Sequence, residues 1–288
     1  METNTPILQH STTPTRSADL HVHTRYSDGT YTAMELVRGA CARGLAAVGV
    51  TDHDTMEGVG ECLEAGKSAG LEIIPGVEIT CQVDGTELHL LGYFFGDAWT
   101  APALRTVLDH AKRIRDQRTD ALIARLNELG VGLTRADVEA CSTAGTLGRP
   151  HVAMALVRRK IVQNVDEAFE RFLRRGKPGY VERYRMSVAE AIGHIKRAGG
   201  VAVLAHPGLN HVDKRLAEMK AQGLGGLEVW HSKHSPAQSS HYLGLAERLD
   251  LLATGGSDCH GTARGEPIIG SVTVPYARVE ALRAAATV

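Results

Sequence analysis

The feature that most constrains this chain is a series of short apolar segments that each end in histidine or a carboxylate. His21 and His23 lie two residues apart in the first of them, residues 20–24. Residues two apart in a strand point to the same side, so both imidazoles should face one site, with Asp28 close behind. Two imidazoles beside a carboxylate can bind a metal ion, although a half-buried strand with a polar face would show the same spacing.

Strand and helix patterns alternate along most of the chain. Strands are predicted at residues 20–24, 46–50, 72–74, 77–80, 87–95, 201–205, 226–230, 251–254 and 268–274. Helices are predicted at residues 32–43, 58–69, 188–198, 213–221 and 239–249, and from residue 276 onward. Repeated strand–helix units imply parallel strands joined by crossover helices. The chain is therefore predicted to be an α/β protein, a distorted (β/α)₇ barrel that resembles a TIM barrel.

The alternation stops between residues 101 and 185, where only helical periodicity is found. We predict an inserted helical cap there, between two parts of the barrel at residues 18–100 and 186–288. The cap has 17 Lys and Arg against 10 Asp and Glu, whereas the whole chain has a net charge of −1. A cationic cap over a metal site suits an anionic substrate, although a single helical arginine often only solvates the surface.

The N-terminal segment, the cysteines and the hydropathy of the chain indicate its cellular location. Residues 1–17 are rich in Ser, Thr and Pro and are expected to form a disordered leader. The five cysteines are scattered without a Cys-x-x-Cys motif, which favours reduced thiols in the cytoplasm. No apolar run is long enough to span a bilayer, and no signal peptide is recognisable. We expect a cytoplasmic protein without membrane association or an obligate protein partner.

Polar residues lie at or near the ends of the predicted strands. They are His21, His23, Asp28, His53, Glu78, His89, His206, His231, Asp258 and His260. In a parallel barrel the carboxyl ends of the strands meet on one face, which holds the active site. Imidazole and carboxylate together suit ions such as Zn²⁺ and Mn²⁺, and this set exceeds the needs of one ion. Two or three divalent ions per chain are therefore expected.

These motifs resemble the PHP (polymerase and histidinol phosphatase) family of metal-dependent phosphoesterases. The matching segments are residues 19–24, 51–55, 76–78, 89, 205–207 and 257–260. The resemblance implies a distorted (β/α)₇ barrel with a trinuclear centre. It implies three ligand sets: His21, His23, Glu78 and Asp258; Glu78 as a bridge, with His89 and His206; and Asp28, His53 and His260. Mn²⁺ is the ion we expect, with Zn²⁺ or Fe²⁺ as alternatives.

A narrower resemblance lies in the cap, at residues 115–118 and 147–151. These segments are similar to PHP proteins that remove the 3′-phosphate from nucleoside 3′,5′-bisphosphates, for example converting adenosine 3′,5′-bisphosphate to AMP and phosphate. The substrate-binding candidates are Arg115, Arg118, Arg149, His151 and Lys177. Arg149 is expected to hold the reacting phosphate, while Arg115 and Arg118 hold the 5′-phosphate. His231 is a candidate proton donor to the leaving oxygen, a phosphate ligand, or a residue that only lines the pocket.

Other functions are compatible with the same residues. The enzymatic alternatives are a 5′-to-3′ exonuclease on short 5′-phosphorylated RNA, a histidinol-phosphate phosphatase and an amidohydrolase. The non-enzymatic alternative is a metal-binding regulatory module. The positive cap argues against a neutral amide, and the size of the ligand set argues against a purely regulatory role. A small nucleotide is the expected ligand, with short RNA as the alternative.

Overall fold

The computed structural model of the protein describes residues 16–142, 147–182 and 186–287. Its nine strands are Ser17–Val22 (β1), Ala47–Val50 (β2), Glu72–Val83 (β3), Thr86–Tyr93 (β4), Met186–Ser187 (β5), Val201–Leu204 (β6), Gly226–His231 (β7), Leu252–Gly256 (β8) and Val274–Pro275 (β9). Its α-helices are Ala33–Ala42 (α1), Val59–Ala69 (α2), Pro102–Glu128 (α3), Arg135–Glu139 (α4), Arg149–Arg158 (α5), Val165–Ala168 (α6), Val188–Arg197 (α7), Leu216–Gln222 (α8), Pro236–Arg248 (α9) and Ala277–Ala285 (α10). A π-helical turn, Phe169–Leu173, follows α6.

The strands form one sheet that nearly closes into a barrel. Its order is β8-β7-β6-β4-β3-β2-β1-β9, with β5 beside β3. The barrel closes between β1 and β8, where Val22, at the end of β1, bridges Cys259 just after β8. The N–H of Asp258 also donates to the carbonyl of His21 at 2.9 Å. The predicted distorted barrel is confirmed, with β1–β4 and β6–β8 as its seven wall strands.

The prediction of parallel strands is wrong for the short strand β9, which pairs antiparallel with β1, and for β4. This strand runs antiparallel to both β3 and β6. Asp84 and Gly85 make the two-residue turn before it, and both have positive φ, at 49° and 75°. Asp-Gly is a common sequence for the hairpin turn that needs this geometry. His89 therefore lies near the start of β4 rather than near a carboxyl end, and it reaches the common face because the strand is reversed.

The predictions at the two ends of the barrel need smaller corrections. Residues 1–15 of the expected leader lie outside the described residues, but Ser17 already begins β1 and pairs with Pro275. The guanidinium of Arg16 lies 3.8 Å from the ring centroid of Tyr276. The strand predicted at 268–274 is reduced to the two residues of β9. In the part of the chain that is described, no helix is long and apolar enough to cross a membrane.

The helical insert has a hydrophobic core of its own. Leu104 and Leu108, in the first half of α3, pack in the core cluster of the barrel. Leu122 and Leu126, further along the same helix, pack in a separate cluster with Leu156 of α5. Helix α3 thus links the two cores and fixes the insert over the barrel. Residues 143–146 and 183–185 of the predicted cap lie outside the described residues.

Candidate metal centre and substrate cavity

Glu78, on β3, lies at the centre of the predicted metal ligands and is buried. Its Oε2 is 3.1 to 3.3 Å from a ring nitrogen of each of three histidines: His21, His23 and His53. Its Oε1 is 2.7 Å from Nδ1 of His89 and 3.1 Å from Nε2 of His206. One carboxylate therefore faces five imidazoles that come from distant parts of the chain.

Two further carboxylates stand beside this group. Oδ1 of Asp258 is 3.3 Å from Nε2 of His23, and Oδ1 of Asp28 is 3.1 Å from Nε2 of His260. His21, His23, Glu78 and Asp258 offer ligand atoms within 4.8 Å of one another, as do His23, Asp28, His53 and His260. All nine residues predicted as metal ligands thus lie on one face of the barrel.

The chemistry of this cluster fits divalent cations. Nε2 of His21 and Nε2 of His23 face each other at 3.1 Å, a contact that needs a proton or a cation between two lone pairs. Oε2 of Glu78, Oδ1 of Asp28 and Nε2 of His260 are buried and have no hydrogen-bond partner among the described residues. Buried polar atoms are rarely left unpaired, and this mixture of donors suits Mn²⁺, Zn²⁺ or Fe²⁺.

Outer contacts turn the ligand nitrogens toward the centre. Nδ1 of His21 lies 2.9 Å from Oε1 of Glu228, and Nδ1 of His260 lies 2.8 Å from the carbonyl of Asp258. With a proton on Nδ1, each ring presents the lone pair of Nε2 to the centre. Glu228 also accepts the backbone N–H of His206 at 2.7 Å. Sequence reasoning missed Glu228, although it is a lone carboxylate within the apolar strand β7.

The carboxylates change the proton affinities of the rings. Burial opposes charge on His23, but the neighbouring carboxylates of Asp258 and Glu78 raise its pKa to about 9. Burial likewise opposes charge on His89, but the charge of Glu78 raises its pKa to about 10. For His53 burial dominates, and its pKa falls to about 3. The carboxylates therefore favour a proton or a cation at His23 and His89, whereas His53 stays neutral.

Metal binding at about pH 7 should therefore release protons, roughly two or more per fully loaded chain. The pKa values of His23 and His89, about 9 and 10, keep both rings protonated at this pH before an ion binds. A ring must lose that proton to become a ligand, so metal affinity should increase as the pH rises. Calorimetric titration of metal-stripped protein with Mn²⁺, in two buffers of different ionisation enthalpy, measures the release. Heats that do not depend on the buffer would contradict this expectation.

His231 is placed to donate a hydrogen bond from its Nε2–H. Its Nδ1 accepts the backbone N–H of Lys233 at 3.1 Å, so the neutral ring carries its proton on Nε2. That nitrogen is buried, lies 3.5 Å from Oδ2 of Asp258 and has no hydrogen-bond partner among the described residues. A neutral ring protonated at Nε2 cannot bind an ion there, but it can donate a hydrogen bond from Nε2 to a leaving oxygen.

A cavity of about 200 Å³ joins the metal centre to the cap. Four of the five predicted substrate-binding residues line it: Arg115, Arg118, Arg149 and His151. The barrel side contributes Asp28, His53 and His89. The fifth, Lys177, has an exposed side chain and is absent from the described lining of this cavity. Arg264, which the sequence analysis did not single out, lines the cavity instead.

The barrel partly neutralises the cap arginines. Arg115 forms a largely buried ion pair with Asp54, and Nη2 of Arg149 lies 3.3 Å from Oε1 of Glu87. Nε of Arg118 donates to the carbonyl of Val181 at 3.0 Å. At the cavity the cap is therefore less positive than its composition suggests. A bound anion would have to share these guanidinium groups with protein oxygens.

Comparisons with known proteins show what this chain is similar to. A family model described as the PHP domain matches residues 19–198. A 3′,5′-nucleoside bisphosphate phosphatase from Chromobacterium violaceum is 33% identical over 258 residues, 88% of this chain and 90% of that protein. A 5′-3′ exoribonuclease from Haemophilus influenzae is 33% identical over 252 residues, 85% of this chain and 90% of that protein. A metal-dependent phosphoesterase structure from Bifidobacterium adolescentis matches with a TM-score of 0.87 and 34% identity, over 96% of this chain and 98% of that one. The structural likeness includes the insert as well as the barrel.

Proposed function

Because the chain belongs to the PHP family of metal-dependent phosphoesterases, we propose that it hydrolyses the 3′-phosphate of nucleoside 3′,5′-bisphosphates. The observation that carries this proposal is the cavity between the histidine–carboxylate cluster and the cap arginines. A ligand with one phosphate at the cluster and a second at the arginines fits both ends of it. The C. violaceum relative, named for this activity, supports the same substrate class.

The direct test is phosphate release by metal-stripped protein to which Mn²⁺ is added back. The substrates are a nucleoside 3′,5′-bisphosphate, its two monophosphates and histidinol phosphate. We expect the bisphosphate to be hydrolysed with the highest kcat/KM, since only it engages both ends of the cavity. Faster hydrolysis of histidinol phosphate would reject the proposal. No phosphate release from any ester would revive the regulatory alternative.

The proposed metal ligands are the nine residues of the cluster: His21, His23, Asp28, His53, Glu78, His89, His206, Asp258 and His260. Two or three divalent ions held there would supply a nucleophilic water near neutral pH and neutralise phosphate charge. We propose Mn²⁺ as the native ion because a carboxylate, Asp28, accompanies the imidazoles of the third set. Elemental analysis of protein purified without added metal distinguishes it from Zn²⁺ and Fe²⁺.

The chain's own groups orient the substrate and stabilise the leaving oxygen. Arg149 would hold the reacting phosphate, since a guanidinium fork matches two phosphate oxygens, and it must leave Glu87 to do so. His231 would donate a hydrogen bond from Nε2 to the leaving 3′-oxygen, which takes its proton from water, while the N–H of Lys233 keeps the ring oriented. Arg118 would hold the 5′-phosphate, with Arg115 and His151 beside it in the same lining.

Replacing Arg118 by alanine should lower kcat/KM for the bisphosphate about tenfold more than for the 3′-monophosphate, because one charge-assisted hydrogen bond is lost. Arg125→Ala is the matched control. Arg125 lies on the same helix and its Nε donates to the carbonyl of Pro178 at 2.9 Å, much as Arg118 contacts Val181, but it does not line the described cavity. Equal losses for the two substrates would remove Arg118 from the 5′-phosphate site.

A second candidate is 5′-to-3′ exonuclease activity on short RNA. The H. influenzae relative carries that name and matches the chain over almost the same span. A site that binds a 5′-phosphate and cleaves a nearby ester could serve both reactions. Stepwise release of mononucleotides from a 5′-phosphorylated oligomer, compared with the same oligomer bearing a 5′-hydroxyl, tests this candidate.

The cellular location is also a proposal. All five cysteines are free thiols in the structure. Isolated thiols of this kind are compatible with a reducing compartment, and we propose the cytoplasm. The substrate is a small nucleotide or short RNA, and the proposed reaction needs no protein partner.

A further inference from the structure

Arg264 occupies a particular position at the mouth of the metal centre. It lies in the segment after β8, where the N–H of Thr262 donates to Oγ1 of Thr30 at 2.8 Å and fixes the chain. Two residues later, the guanidinium of Arg264 reaches back over the site. Nη1 is 3.2 Å from Oδ2 of Asp258, and Nη2 is 3.4 Å from Oδ2 of Asp28. The side chain is 48% exposed, whereas the two carboxylates are only 10% and 11% exposed.

The two aspartates belong to different ligand groups of the cluster. Oδ1 of Asp258 faces Nε2 of His23, and Oδ1 of Asp28 faces Nε2 of His260. Arg264 therefore contacts the outer oxygen of each carboxylate while the inner oxygen faces a ring. Arg115 and Arg149 differ in this respect, since they pair with Asp54 and Glu87.

The guanidinium of Arg264 can readily exchange its two carboxylate partners for another anion. Charge-assisted N–H···O bonds are usually about 2.7 to 2.9 Å, and both contacts here are longer. An ion pair with a half-exposed partner contributes little, because water screens it. Gly265, the next residue, has a φ of 109°, and a Cβ at this position would meet no atom within 4 Å, so there is open space next to Arg264.

A phosphate bound at the cluster must approach ions held by these same carboxylates. It would come from the cavity that Arg264 already lines. Resting on the proposed function, we propose that Arg264 is a phosphate-binding residue of the reaction, and that its guanidinium competes with divalent ions for Asp28 and Asp258. Arg264 would bind these carboxylates less strongly once their charge is neutralised, and its guanidinium fork would then be free to contact the oxygens of the reacting phosphate.

The test uses Arg264→Ala, with Arg264→Lys and the exposed Arg248→Ala on α9 as matched variants. Mn²⁺ alone is first titrated into each metal-stripped protein. We expect Arg264→Ala to bind Mn²⁺ about two- to tenfold more tightly than the parent, because a competing cation is gone. Weaker Mn²⁺ binding would overturn the competition, since Arg264 would then hold the ligands in place for the ion.

Inorganic phosphate is then titrated into the Mn²⁺-loaded proteins. Arg264→Ala should bind it about tenfold more weakly, with Arg264→Lys in between and Arg248→Ala unchanged. Unchanged phosphate affinity in Arg264→Ala would overturn the phosphate role. Neither titration depends on which ester is hydrolysed. If the bisphosphate proves a poor substrate while Arg264→Ala shows both affinity changes, the proposed function fails and the role of Arg264 stands. If the bisphosphate is a good substrate and neither affinity changes, the role of Arg264 fails and the proposed function stands.

Discussion

Exchanging Glu78 for glutamine should lower phosphate release at least about 10³-fold, with loss of one or more bound ions. The carboxylate is buried and both of its oxygens face imidazole nitrogens, the shortest at 2.7 Å from His89. Glutamine has nearly the same volume, but it has no charge and presents an NH₂ group where an oxygen faced the rings. An amide so placed cannot bridge two cations. Metal content by elemental analysis and kcat with saturating substrate measure the two effects.

The control for this variant is Glu72→Gln on the same strand. Glu72 contacts Tyr276 and Arg283 and takes no part in the cluster. Its replacement should leave the bound metal and kcat nearly unchanged while removing an ion pair of the same strand. Near-normal turnover in Glu78→Gln, at a metal content equal to that of Glu72→Gln, would show that the cluster is not the reaction centre.

Glu228→Gln should weaken metal binding by about 10- to 100-fold without removing any proposed ligand. Glu228 is fully buried and lies 2.9 Å from Nδ1 of His21, so it fixes which nitrogen of that ring faces the centre. It also accepts the backbone N–H of His206, and a glutamine oxygen can retain only one of the two contacts well. Titration of stripped protein with Mn²⁺ gives the change in affinity.

Added metal separates this effect from the loss of a ligand. Raising the Mn²⁺ concentration should restore most of the activity of Glu228→Gln, because its ligand atoms are intact. The same addition should not rescue Glu78→Gln. If excess Mn²⁺ fails to restore Glu228→Gln although the protein remains folded by circular dichroism, the role of Glu228 is not to orient His21 for the ion.

Local patterns explain why the ligand residues could be named before the structure. The period of two in a strand places His21 and His23 on one side whatever surrounds them. Strand–helix repeats likewise indicate which end of each strand carries the site. The same rule failed for His89, whose strand is reversed by the turn at Asp84 and Gly85. That dipeptide was a usable signal, since both residues adopt the positive φ that the hairpin needs.

Positions outside such patterns were harder to assign. The charge of Lys177 in a glycine-rich segment favours a phosphate contact, yet its side chain is exposed and absent from the described cavity lining. No motif near Arg264 in the sequence indicates a role in the site, yet it contacts two carboxylates of the cluster. The charge of a residue is visible in the sequence, but its partner is not.

The sequence by itself predicted the strand–helix units, the helical stretch between them and the imidazoles and carboxylates near the strand ends, because each is visible in spacing over a few residues. Only the tertiary structure decided the direction of β4, the partners of the arginines and the tautomer of each ring. His21 and Glu228 are 207 residues apart, and their contact exists only because β1 closes against β8, the strand beside β7. Such contacts depend on how distant strands pair, and no local period in the sequence specifies that pairing.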